Sequence, residues 1–172
     1  MDLNYIQSVM FEMGKFVFLS NFILLLIAVV FERKVSSVVI SLLVLALASG
    51  IMSALSPVLL EISSGDGLLN KLAWYGGFAF VDCVALYFLF KFHKLLKQNV
   101  SSVAHLVGFS FLLFTMLQSI RFIDRYVLET DMLSAVYRNT VPALNLILIP
   151  LIMYFWLEEL RERKSYLTEL TQ

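Results

Sequence analysis

Ionisable and strongly polar residues are scarce within the long apolar runs of this chain, and the few found there are its candidates for chemistry. Asp82 comes first. It lies about ten residues into the third apolar run, roughly 15 Å along a helix and so near the midplane of a bilayer core. A charge at that depth costs several kcal/mol unless paired or hydrated. The helix face it shares with Tyr75, Phe78, Ala79, Ala85 and Leu86 is therefore expected to look into a bundle rather than at lipid.

Gln118, Arg121 and Arg125 follow one another at offsets of three and four along the fourth run, with Asp124 beside them, which makes a polar, cationic stripe. Arg138, Asn139 and Asn145 interrupt the fifth run, and Tyr137 adds a hydroxyl. Depth favours Arg138 as the partner of Asp82, whereas the lean of helical side chains toward the N-terminus favours Arg121. Three uses of this set are open. It is a buried ion-pair and hydrogen-bond cluster that sets helix register. It is a pocket in which Arg121 and Arg138 hold a polar or anionic ligand above a floor of Asp82 and Asn145. Or it is a cation or proton path gated by Asp82, for which the expected further midplane acids are missing.

Other chemistries find no footing. Cys83 is the single cysteine, which leaves no disulfide, no redox pair and no cysteine-based metal site within one chain. His93 and His105 flank the connection between the third and fourth runs, but two histidines fall short of a zinc ligand set, and interfacial positions are the expectation. No G-x-S-x-G elbow, phosphate-binding loop or dinucleotide fingerprint occurs. No catalytic residue, metal or cofactor is expected.

The elements that must hold these residues are transmembrane helices. Apolar residues make up 60% of the 172-residue chain and aromatics 14%, and mean hydropathy is +0.85, outside the range of a water-soluble domain of this length. Five runs are long enough to cross a core of roughly 30 Å at 1.5 Å rise per residue, at residues 13–31, 38–60, 73–92, 103–123 and 133–157. The fifth is the weakest because its polar residues break it. The first lacks the basic start and small-residue end of a cleaved signal and is expected to be retained. Residues 3–15 repeat apolar positions at Ile6, Val9, Met10 and Met13, as either an interfacial helix or an extension of the first span would. The reading is thus an all-α polytopic bundle over residues 1–157, with a charged helical tail over 158–172 in which Leu160, Leu167 and Leu170 line one side.

Small residues mark helix contacts. Ala46, Gly50 and Ala54 recur every four residues in the second span, and Gly76, Ala79 and Cys83 make a second small face on the third. Pro57, Pro142 and Pro150 free the carbonyls of Ser53, Arg138 and Leu146, so kinks there are structural or open a cavity.

Basic residues favour the cytoplasmic side of short loops. One side would hold Arg33, Lys34, Lys91, Lys94, Lys97, Arg161, Arg163 and Lys164, and the other Lys15, Lys71, Arg121, Arg125 and Arg138. That bias predicts the N-terminus outside and the C-terminus inside, in a cell inner membrane. Ser63 to Gly67 then forms an external turn, and the Asn99-Val100-Ser101 sequon, on the inner side, is accidental. The 13 basic and 13 acidic residues cancel, so net charge gives no reason to expect nucleic acid. The function expected is non-enzymatic. It is a sensing, accessory or immunity-type subunit that self-associates or docks a protein partner through its C-terminal helix, with a small transporter or channel subunit as the alternative and a membrane enzyme last.

Overall fold

The computed structural model describes residues 3–65 and 67–169, with side chains described over 12–65 and 67–165. Five helices follow in chain order: α1 (Leu3–Glu32), α2 (Ser37–Ser63), α3 (Leu68–Leu95), α4 (Ser102–Tyr126) and α5 (Ser134–Glu169). All five are long and apolar enough to cross a membrane, and no strand occurs among the described residues. Phe16, Leu19, Val30, Phe80, Phe90, Phe109 and Tyr154 stand exposed on the outer faces. Water would not tolerate so continuous an apolar exterior, whereas hydrocarbon does.

α2, α3 and α4 outrun their expected spans by a few residues at each end, while α1 begins ten residues before its span and α5 runs twelve residues past its own. Residues 3–15 continue α1 without a break, which makes that segment an extension of the first helix; the side chains of Ile6, Val9 and Met10 lie outside the described residues. The polar residues of the fifth run do not interrupt α5, whose 36 residues reach about 54 Å, well beyond a bilayer core. Ser36 and Ser101 cap α2 and α4 by accepting from the backbone N–H of Val39 and Ala104. Ser101 of the sequon thus begins a helix. Ser64 and Gly65 turn the chain toward α3, and Asp66 of that expected turn lies outside the described residues.

The helices alternate in direction, and α2 is central, packed by α1, α3 and α4. α5 lies against α4 and α1 and makes little contact with α2 or α3. At one end of the bundle, hereafter the Glu32 end, stand the α1–α2 and α3–α4 connections; at the other, the Arg121 end, stand α2–α3 and α4–α5. In the half toward the Glu32 end, Leu148, Ile152 and Trp156 of α5 fill the core against Leu25, Ala28, Val38, Leu42, Val103 and Val107. Toward the Arg121 end α5 brings no such filling, and a cavity remains.

Close helix approach is carried by fewer small residues than the spacing suggests. Ala46 is buried, and a Cβ on Gly50 would lie 3.0 Å from the Phe18 ring of α1. Ala54, however, is exposed. A four-residue step overshoots a helical turn by about 40°, so the third member of the series has rotated off the contact. On α3 the close approach to α2 is made at Gly77, where a Cβ would sit 3.0 Å from Leu59, while Gly76 faces Leu72 of its own helix. Ala79 is partly buried, and Cys83, about 100° around the helix from inward-facing Asp82, is exposed with its thiol 3.9 Å from the Thr115 hydroxyl.

The contact at Gly50 generates a test. Gly50→Val should destabilise the protein by about 1–3 kcal/mol through overpacking, read as a lower thermal unfolding midpoint in detergent. In a Phe18→Ala background most of that loss should vanish; an undiminished loss would place the strain elsewhere.

Candidate functional site

Asp82 is 1% exposed in the middle of α3, and its Oδ1 has no hydrogen-bond partner among the described residues. It lies in the wall of a partly open cavity of about 190 Å³ to which all five helices contribute. Five aromatic side chains, Trp74, Phe78, Phe111, Phe114 and Tyr137, make much of the wall. The polar lining comes from Ser49, Ser53 and Ser56 of α2, Gln118 of α4 and Asn145 of α5. Most of these groups already have partners. Ser49 donates to Leu45 O at 2.7 Å and accepts from Asn21 Nδ2 at 2.9 Å, and Ser56 donates to Met52 O at 2.7 Å. The Tyr137 hydroxyl donates to Gln118 Oε1 at 2.7 Å, and Asn145 Nδ2 donates to Val141 O at 3.0 Å. Asp82 is the exception.

Neither arginine expected beside Asp82 is there. Arg121 is buried and donates to Asp124 Oδ2 at 2.5 Å and to Asp131 of the α4–α5 connection. Asp124 in turn accepts from the Thr130 hydroxyl at 2.5 Å and from Leu133 N at 3.2 Å. This cluster fastens the start of α5 to the end of α4. Its carboxylates are supplied locally, three and ten residues along the chain, so Arg121 has no cause to reach toward the midplane. Arg138 and Asn139 are exposed on the first turns of α5, and Arg125 is exposed with its guanidinium 5.4 Å from the Tyr126 ring centre. The arrangement of two arginines around an anion is therefore not formed. Gln118 and Asn145 do join Asp82 at the cavity, and Tyr137 ties the cavity to a ring cluster of Tyr75, Phe122 and Tyr126.

Two further polar clusters stand at the Glu32 end, one built on Glu32, Trp156 and Glu159, which the sequence did not single out, and one on His93, which is buried rather than at an exposed interface. Glu32 is buried and accepts from Trp156 Nε1 at 3.1 Å and Arg163 Nη1 at 2.8 Å, while Glu159 accepts from the N–H groups of Ser102 at 2.8 Å and Val103 at 3.5 Å. α5 thus grips α1 and the α4 N-terminus together. The seven-residue spacing of Trp156 and Arg163, which puts both on one helix face, was the available signal. His93 is buried beside them. Its Nδ1 donates to Leu89 O at 2.7 Å, since a carbonyl can only accept, and its Nε2 is 2.7 Å from the Ser37 hydroxyl, whose oxygen accepts from Ser101 N. Exposed His105 pairs with Ser101 O at 3.0 Å. Among the described residues no three His, Cys, Asp or Glu side chains converge as metal ligands would.

Glu159, Leu160 and Arg163 pack or bond within the bundle although they lie in the segment expected as a tail from residue 158; the side chain of Leu167, and Leu170, lie outside the described residues.

Fold and site together define an integral membrane helical bundle with an aromatic cavity around a single buried carboxyl group. No protein family, no curated protein and no solved structure matches the chain.

The two arginines separate sharply in what they support. Arg121→Leu should cost about 3–5 kcal/mol because it leaves Asp124 buried without its cation, whereas exposed Arg138→Leu should shift stability by less than about 0.5 kcal/mol. Thermal unfolding of both purified variants checks this, and equal losses would mean that Arg138 is held by the bundle after all.

Proposed function

We propose that this protein is a non-enzymatic membrane module that admits a small ligand to its five-helix cavity and passes occupancy along α5 to a protein partner. One observation carries the reading: a single continuous helix forms a wall of the cavity with Tyr137, Val141, Pro142 and Asn145 and runs on past Arg163 to Glu169. A change in how α5 sits on an occupied cavity alters the same rigid rod that a partner would meet. Pro142 favours such movement, because its ring leaves the Arg138 carbonyl without a helical donor. Beside the cavity α5 is loosely packed, while Leu148, Ile152 and Trp156 seat it firmly toward the Glu32 end.

The orientation proposed is N-terminus outside and C-terminus in the cytoplasm of an inner membrane, on the bias of basic residues toward the Glu32 end. The cavity then faces the outer half of the bilayer. A transporter is the second reading, favoured by the lone midspan carboxyl of Asp82. The core that Leu148, Ile152 and Trp156 fill below the cavity would have to open for it.

Because Glu159 and Arg163 hold the bundle together, the partner-binding test must cut beyond them. Native mass measurement in mild detergent should find the unaltered protein in a defined complex, and truncation after Ser165 should release the partner with the unfolding midpoint unchanged. A lone chain in both preparations would refute the docking role. A reporter that fluoresces only in the cytoplasm, fused at the C-terminus, should be bright; a dark fusion that is present in the membrane would reverse the orientation.

A further inference from the structure

The cavity is built for one sign of charge. Among the described residues Asp82 is its only carboxyl group, and no lysine, arginine or histidine among them lines it from any of the five helices. The cations nearest in sequence to its wall residues are engaged elsewhere or face outward, Arg121 on Asp124 and Asp131 and Arg138 at the surface. An anion entering here would meet a buried acid and no counter-charge. A positively charged group would have beside it the Asp82 carboxyl, whose buried Oδ1 lacks a partner among the described residues, and a wall of Trp74, Phe78, Phe111, Phe114 and Tyr137, whose ring faces favour cations. The rest of the wall is apolar. In size the cavity exceeds the roughly 150 Å³ in which a protein interior holds one benzene ring.

From this juxtaposition, and resting on the reading of the cavity as a ligand site, we infer that the ligand is a primary amine carrying an apolar group of about phenyl size. Its ammonium donates to Asp82, and its body packs on the aromatic wall. The hydroxyls of Ser49 and Ser56 are occupied with α2 carbonyls and the Gln118 oxygen with Tyr137, so the strongest acceptor left to the ligand is the carboxylate. Selection for an amine over its neutral isostere then follows from one charge-assisted hydrogen bond in a site with little water to compete.

Phenethylamine, phenethyl alcohol and phenylacetate present the same ring with an ammonium, a hydroxyl and a carboxylate. Equilibrium dialysis of labelled phenethylamine against full-length protein in lipid nanodiscs, corrected for empty nanodiscs, should show saturable binding of one molecule per chain. Phenethyl alcohol should compete at least about tenfold more weakly, and phenylacetate not at all. Asp82→Asn should erase the preference for amine over alcohol, and Ser53→Phe, which fills the cavity and leaves Asp82 in place, should remove binding. Equal competition by amine and alcohol in the unaltered protein overturns the amine assignment and leaves the cavity as a ligand site. Saturable binding that survives Ser53→Phe also overturns it, because the amine then sits elsewhere. No saturable binding of any of the three overturns both the amine assignment and the ligand-site reading. The three-way comparison uses unaltered protein, so it stands even where Asp82→Asn fails to fold.

Discussion

Buried carboxylates satisfied from another segment of chain hold α5 in place. At the Arg121 end, Asp124 of α4 collects a guanidinium, a hydroxyl and the backbone N–H of Leu133, and so sets where α5 begins. At the Glu32 end, Glu32 of α1 takes the indole N–H and guanidinium of α5, and Glu159 of α5 caps α4. Glu32 and Asp124 stand near helix ends but are buried from water, so their charge is tolerated only where the chain completes their hydrogen bonds. A helix that packs on two neighbours rather than three needs such fixtures, because apolar side chains gain little by leaving lipid for one another.

Between those fixtures the bundle is asymmetric. Leu148, Ile152 and Trp156 close one half, while the other half keeps a space between α5 and the pair α2 and α3. Asp82 belongs to that space. The other buried carboxylates of the described bundle, Glu32 and Asp124, accept hydrogen bonds on both oxygens, whereas Asp82 Oδ1 and the amide oxygen of Asn21 have no partner among the described residues. The burial of Asp82 also fixes the rotation of α3. Once Asp82 faces inward, Tyr75 and Ala85 follow on the same face, Gly77 is brought to α2, and Cys83 is carried outward.

Serines illustrate how the helices carry polar atoms cheaply. Ser41, Ser49, Ser56 and Ser110 each donate to the carbonyl four residues earlier, which satisfies the hydroxyl within its own helix and leaves the fold indifferent to it. Asn21 behaves differently. It reaches Ser49 across the α1–α2 contact, so it ties two helices, with the oxygen of Ser49 as the acceptor.

Sequence alone determined that the chain forms five apolar helices, where α2, α3 and α4 lie to within a few residues, and that Asp82 faces inward. Hydrophobic length and the cost of a midspan charge are local properties and need no knowledge of neighbours. Only the tertiary structure decided which charges meet. Arg121 had acids three and ten residues away that satisfied it before Asp82 could, and Glu32 found its partners more than a hundred residues along the chain, on a helix whose rotation no local pattern specifies. The cavity was equally illegible, because an empty space belongs to no residue. It arises from the way α5 rests on α4 and α1 and stands off α2 and α3, and it leaves Asp82 the single buried carboxyl without a partner.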